Sequence, residues 1–225
     1  MYVKDHMTKD LKTIDADTSV LKALEIMGKN NFHRLPVTDE NGQLIGLITE
    51  GLVNESSGKN ATSLSIYELN YLLSRTKAGD IMITDVKTIT PDAFLEEAAS
   101  VMLDNAINVL PVVTEGNKVV GIITEKDMFQ AFTELMGYKH QGTKFVINCD
   151  DVPGIFAKIA NLFAENDANL ESAAVYHNSE RGTEIVVKAT GIIPVENMTD
   201  ILKEAGFNVT RVIQTTNEGK TVVFM

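Results

Sequence analysis

The chain repeats itself. Shifted so that Asp5 lies on Asp80, its opening stretch from about Val3 to Val53 matches a later stretch without a gap. Met7 then falls on Met82, Asp10 on Asp85, Lys12-Thr13-Ile14 on Lys87-Thr88-Ile89, Asp17 on Asp92, Ala23 on Ala98, Met27 on Met102 and Asn30 on Asn105. Leu35-Pro36-Val37 falls on Leu110-Pro111-Val112, Gly46 on Gly121, and Ile48-Thr49-Glu50 on Ile123-Thr124-Glu125. Such self-similarity means one supersecondary unit used twice. A unit of about 50 residues buries little core by itself. Two copies packed face to face would solve that problem.

Each copy reads the same way. Val20, Leu24 and Met27 recur at helical spacing, as do Leu95, Ala98, Ala99 and Met102. Asp17 and Asp92 stand just upstream, where a short oxygen side chain can cap free amides. A short apolar strand follows (Leu35-Pro36-Val37; Val109 to Val113), then a polar turn (Asp39 to Gly42; Glu115 to Asn117) and a second strand (Leu44 to Ile48; Val119 to Ile123). The two strands suit a hairpin. A helix then opens at Thr49 or Thr124. Between the copies, Asn54 to Asn60 reads as a loop. Leu64, Tyr67, Leu69, Tyr71, Leu72 and Leu73 beyond it suggest an amphipathic helix, its tyrosines expected in a core or packing surface.

At 225 residues the chain is expected to hold two compact units, given roughly 100–200 residues per domain. Its hydrophobic share of 44% is globular and argues against disorder. The 31 acidic residues against 20 basic ones leave a net charge of −11, which disfavours nucleic acid and anionic membrane as partners. The single cysteine, Cys149, cannot form an intrachain bridge, and no apolar run reaches the roughly 18–20 residues of a membrane span. A cytoplasmic location is the expectation.

From Thr143 the pattern changes. Lys144 to Cys149 reads as a strand, Asp150-Asp151-Val152-Pro153-Gly154 as a turn, and Ile155, Phe156, Ile159, Leu162 and Phe163 as a helical stripe ending near Asn166. Strands at Leu170 to Tyr176 and Thr183 to Ala189 flank the polar turn His177 to Gly182. A second helix carries Val195, Met198, Ile201 and Leu202; Gly206 ends it, and Phe207 to Ile213 is a last strand. The order is βαββαβ, the ferredoxin-like arrangement.

The most informative stretch of the repeat is Gly121-Ile122-Ile123-Thr124-Glu125-Lys126-Asp127. Where a strand ends and a helix begins, free amides and the positive dipole end stabilise a phosphate. Thr124 can cap the helix or donate to a phosphate oxygen, and Asp127 can accept from both ribose hydroxyls. The same residues could also form a ligand-free helix cap, in a capping box with Glu125. The first copy, Gly46-Leu47-Ile48-Thr49-Glu50-Gly51-Leu52, has Leu52 in place of the aspartate.

The xDxM openings (Lys4-Asp5-His6-Met7; Gly79-Asp80-Ile81-Met82), the Leu-Pro-Val strands and the Gly-apolar-apolar-Thr turns resemble tandem CBS domains, over about 1–136. The resemblance implies CBS domains at 1–55 and 78–136, joined by a 56–77 linker with a helix. It also implies a regulatory adenine nucleotide (AMP, ADP, ATP or cyclic di-AMP) in a cleft between the copies. Thr124, Asp127, Gly121 and Lys126 would surround it. Arg34 and His33, before the first Leu-Pro-Val strand, would reach its phosphate, and Thr13 and Thr88 would line the clefts. The Asp-Val-Pro-Gly loop and Asn169-Leu170 resemble an ACT domain at 143–213, with 214–225 as a tail. That resemblance implies side-by-side dimers and an amino-acid site at Asn148, Asp151 and Gly154. The whole order is similar to the AcuB-type acetoin utilization proteins.

The fold class expected is α/β (α+β), a tandem CBS pair followed by a βαββαβ ferredoxin-like ACT domain. No catalytic constellation is legible. Cys149 reads as a small apolar residue of a strand, and His6, His33, His140 and His177 lack metal-ligand spacing. No P-loop, GxGxxG or GxSxG is present. The expectation is a non-catalytic homodimeric sensor with no obligatory cofactor and no metal, acting on an unknown protein partner. The alternative is a ligand-free dimerisation scaffold.

Overall fold

A computed structural model describes residues 1–57, 65–178 and 182–224. The chain divides into two units, Met1–Phe129 and Gln130–Met225.

In the first unit each copy builds the same parts. The first has α1 (Val3–His6), α2 (Val20–Asn30), β1 (Arg34–Thr38), β2 (Leu44–Thr49) and α3 (Glu50–Ser57). After α4 (Ile66–Arg75), the second has α5 (Ala78–Ile81), α6 (Leu95–Asp104), β3 (Val109–Val113), β4 (Val119–Thr124) and α7 (Glu125–Leu135). The hairpins share a register: Leu35 faces Ile48 as Leu110 faces Ile123, with a bulge after Val37 and after Val112. Ile14 and Ile89 add a parallel bridge to Val37 and Val112.

The copies interlock through the segments that lead into them. Thr8, from the first, bridges Ile122 in β4, and Ile83, from the second, bridges Leu47 in β2. Met7 thereby lies on Gly121, and Met82 on Gly46. A β-carbon on Gly121 would stand 2.5 Å from Met7 Sδ, so the Met and Gly positions of the repeat serve each other across the copies. Gln43 bridges Lys118, its own repeat counterpart.

Three local expectations need correction. Asp17 and Asp92 cap no helix: Ser19 Oγ accepts from Lys22 N on α2, and Glu97 Oε2 accepts from Phe94 N at the start of α6. The aspartates are drawn instead to ammonium groups, Asp17 to Lys77 and Asp92 to Lys4 at 2.6 Å. Helix α3 runs to Ser57, through the start of the segment read as a loop; Gly58 to Asn60 and Leu64 lie outside the described residues. Helix α4 packs against α2, but its tyrosines point outward, Tyr67 85% and Tyr71 64% exposed. Leu73 enters the core instead, with Val20, Ala23, Met27, Leu35, Val37 and Ile48.

The second unit contains β5 (Gly142–Cys149), α8 (Ile155–Glu165), β6 (Leu170–Asn178), β7 (Gly182–Thr190), α9 (Val195–Glu204) and β8 (Asn208–Thr215). The segment read as a tail returns as β9 (Thr221–Val223), whose Val223 faces Ile213 of β8. The sheet order is β6-β7-β5-β8-β9, antiparallel throughout. Phe145, Ile147, Ile185 and Val187 of the sheet meet Ile159 and Phe163 of α8 and Met198 and Leu202 of α9 in one core. Phe145 and Phe163 meet edge to face at 5.3 Å. Gly206, at φ +91°, supplies the left-handed step after α9.

Candidate functional site

The two strand-to-helix junctions differ chemically. At the second, Asp127 Oδ2 accepts from Thr124 N and from Thr124 Oγ1, both at 2.8 Å, and Thr124 Oγ1 accepts from Asp127 N at 3.4 Å. This is a capping box whose acid is Asp127 at the third helical position, not Glu125. Both residues expected to hold a ligand thus hold each other. At the first junction Thr49 Oγ1 accepts from Leu52 N at 3.1 Å, and Leu52 packs against the first copy's core. Leu52 offers no carboxylate at the position that Asp127 holds in the second copy.

The residues before the inner strands approach one another. Arg34 Nη2 donates to Asn108 Oδ1 at 2.5 Å, while Asn108 O accepts from Glu125 N at 3.2 Å. Arg34 is therefore one residue removed from the opening of α7. His33 Nδ1 lies 2.8 Å from Glu50 Oε2. A cavity of about 450 Å³ collects His33, Arg34, Thr49, Glu50, Gly51, Asp85, Lys87 and Asn108 among its walls. Lys87 Nζ is 3.2 Å from the Asp85 carboxylate, whereas Arg34 meets a neutral amide. The guanidinium is a planar donor toward an anion.

Of the expected nucleotide residues, His33 and Arg34 thus share this cavity. Thr124, Lys126 and Asp127 belong to the other junction, where Lys126 is exposed and Thr124 and Asp127 are half-buried. Gly121 is accounted for by Met7 above it. Thr13 is exposed and Thr88 half-buried; neither lines the cavity. Glu50, Asp85 and Lys87 join the cavity without a motif that marks them in the sequence. Lys87 had a signal, standing next to Thr88 in the repeat-matched segment.

In the second unit Asn148, next to last in β5, stands opposite Asn208 and Glu184. The Asp151 carboxylate lies 3.9 Å from His177 Nδ1, which also contacts Thr183 Oγ1 at 3.0 Å. Gly154 opens α8 at φ +83°, and open space surrounds the place a β-carbon would take. Its backbone conformation, rather than a crowded neighbour, calls for glycine. Cys149 packs partly against the core, and burial pushes its thiol up, with Asp150 and Asp151 adding to the effect. Among the described residues, no group of three or more His, Cys, Asp or Glu could hold a metal ion, and no helix is long and apolar enough to cross a membrane.

A duplicated unit with interlocked copies, ending in a capped strand-to-helix junction and followed by a ferredoxin-like sheet, defines a two-module regulatory architecture. The CBS domain model matches residues 3–52 and 78–134, and the ACT domain model matches 144–205. The chain is 30% identical over 140 residues to a CBS domain-containing protein of Dictyostelium discoideum, covering 60% of this chain and 92% of that one. A solved structure assigned to acetoin utilization, AcuB from Vibrio cholerae, is 27% identical with a TM-score of 0.51, covering 62% of this chain and 95% of its own. The homoserine O-acetyltransferase of Methanohalobium evestigatum is 28% identical over 133 residues, 59% of this chain, but the chain spans only 24% of that enzyme's length. The chain belongs to the CBS-domain family and carries an ACT domain after its CBS pair.

Proposed function

We propose that this protein is a non-catalytic cytoplasmic sensor that binds an adenine nucleotide in its CBS pair and passes the bound state to a metabolic partner. AMP, ADP, ATP and cyclic di-AMP are the candidate ligands. The ribose diol would take the Asp127 carboxylate, and the phosphate would take Thr124, the first amides of α7 and Arg34. The observation that carries this reading is the Arg34 guanidinium. It faces a cavity with a neutral amide as its partner and stands one residue from the opening of α7. A ligand that prefers one arrangement of the pair would shift the population of that arrangement.

An amino acid at the loop of Asn148, Asp151 and Gly154 is a second input, read at the interface of a homodimer. Two features support the dimer: among the described strands β6 pairs on one side with β7, and Phe129, Phe132 and Leu135 of α7 are exposed by 66%, 62% and 58%. A ligand-free scaffold is the competing reading, favoured by the mutual occupation of Thr124 and Asp127 and by Leu52 packed against the core.

Thermal shift against the four nucleotides and an amino-acid panel separates them, with Asp127→Ala and Arg34→Ala alongside. A ligand at about 100 times its Kd adds roughly 2.7 kcal/mol. A nucleotide shift lost in both variants supports the sensor. No shift from any nucleotide leaves the scaffold standing. An amino-acid shift alone moves the sensing site to the ACT loop.

A further inference from the structure

Side chains hold the first turn of helix α7 and the turn that follows the helix. At its first turn stands the Thr124–Asp127 box. A helix leaves its last carbonyls without intrahelical partners. Those of α7 are taken by the turn that follows, where Met136 N donates to Phe132 O, Tyr138 N to Thr133 O and Gly137 N to Glu134 O, and the sheet takes carbonyls of that turn. Ser172 Oγ on β6 donates to Met136 O at 3.4 Å, and Lys188 Nζ on β7 donates to His140 O at 2.7 Å and to Gly137 O. The Lys188 side chain is 2% exposed. Glu171 Oε2 lies 3.7 Å from its ammonium, and Glu171 Oε1 also contacts the His140 ring. Burying a cation is costly unless carbonyls and a carboxylate satisfy it, as those of the turn and Glu171 do here. The turn has little slack: a β-carbon on Gly137, at φ +58°, would meet Glu171 Oε2 at 2.8 Å.

Residues of α7 belong to both units, which divide at Phe129 and Gln130. We propose that the state of the Thr124–Asp127 cap is transmitted along α7 and felt in β6 and β7 through Lys188, a positioning residue that touches no ligand. For its trigger alone this rests on the nucleotide reading, in which a ribose diol competes with Thr124 for the Asp127 carboxylate.

Hydrogen exchange on the full chain, without nucleotide, tests it in wild type, Asp127→Ala, Lys188→Met and the double variant. Opening the cap raises exchange in residues 136–140 and in β6 and β7 by on the order of fivefold, the scale of a lost N-cap. On the Lys188→Met background the rise in β6 and β7 disappears while that in the first turn of α7 stays. A response to Asp127→Ala confined to that first turn overturns the proposal, however Lys188→Met behaves. Persistence of the β6 and β7 response in the double variant overturns the role of Lys188. The nucleotide thermal shift on wild type is independent of these results, so either reading can fail alone.

Discussion

Met7 Sδ stands 2.5 Å from the place where a β-carbon on Gly121 would be, although the two residues belong to different copies of the repeat. Gly121→Ala forces the half-buried Met7 side chain and a strand apart. An overpacked core typically loses about 1–3 kcal/mol, and a loss of that size is expected in urea unfolding. Shortening the partner relieves the clash, so Met7→Ala combined with Gly121→Ala should cost less than the sum of the single changes.

Helix α4 contributes Leu73 to the first unit's core at 8% exposure and leaves Tyr67 at 85%. Leu73→Ala should therefore destabilise by about 2–5 kcal/mol, while Tyr67→Ala should stay within roughly 0.5 kcal/mol of wild type. Equal effects in denaturant melts would contradict this account of the helix.

Ala106 adopts φ +51°, a left-handed conformation that costs an alanine roughly 1–2 kcal/mol. Ala106→Gly relieves that strain but loosens the unfolded chain, so a net gain of up to about 1 kcal/mol is expected. Asn31, its repeat counterpart at φ +55°, tolerates the region better, and Asn31→Gly should gain less. Tm values of the two variants measured side by side decide it.

Burial holds the Lys188 ammonium below its ordinary 10.5; Lys144 acts in the same direction and Glu171 opposes them. A depressed lysine makes the folded state give up its proton first. The cost of the buried charge is present in full below the lowered pKa and is relieved as pH rises from there toward 10.5. Denaturation at about pH 7 and about pH 10 should show wild type gaining stability relative to Lys188→Met. A parallel response of the two proteins would mean that Lys188 does not titrate there.

The repeat was legible because packing two copies together demands matching residues. Val20, Met27, Leu35 and Ile48 are buried where their periodicity put them, and β5, α8, β6, β7, α9 and β8 follow the order read from the chain. The contacts that local sequence does not signal involve partners distant in the chain. Nothing near Asp17 or Asp92 says that Lys77 and Lys4 will take them from their helix ends. Nothing near Lys188 says that its ammonium will lie against Gly137 and His140.

The sequence by itself determined the duplicated unit, the ferredoxin-like order of the second half and the two unequal strand-to-helix junctions, because periodicity, turn chemistry and motif spacing are local properties. Only the tertiary structure decided that Asp127 rests on Thr124, that His33 and Arg34 share a cavity with Asp85 and Lys87, and that a buried lysine holds the turn after α7. Those outcomes depend on which charged and polar groups meet when distant segments are brought together, and burial, not neighbourhood in the chain, sets their energies.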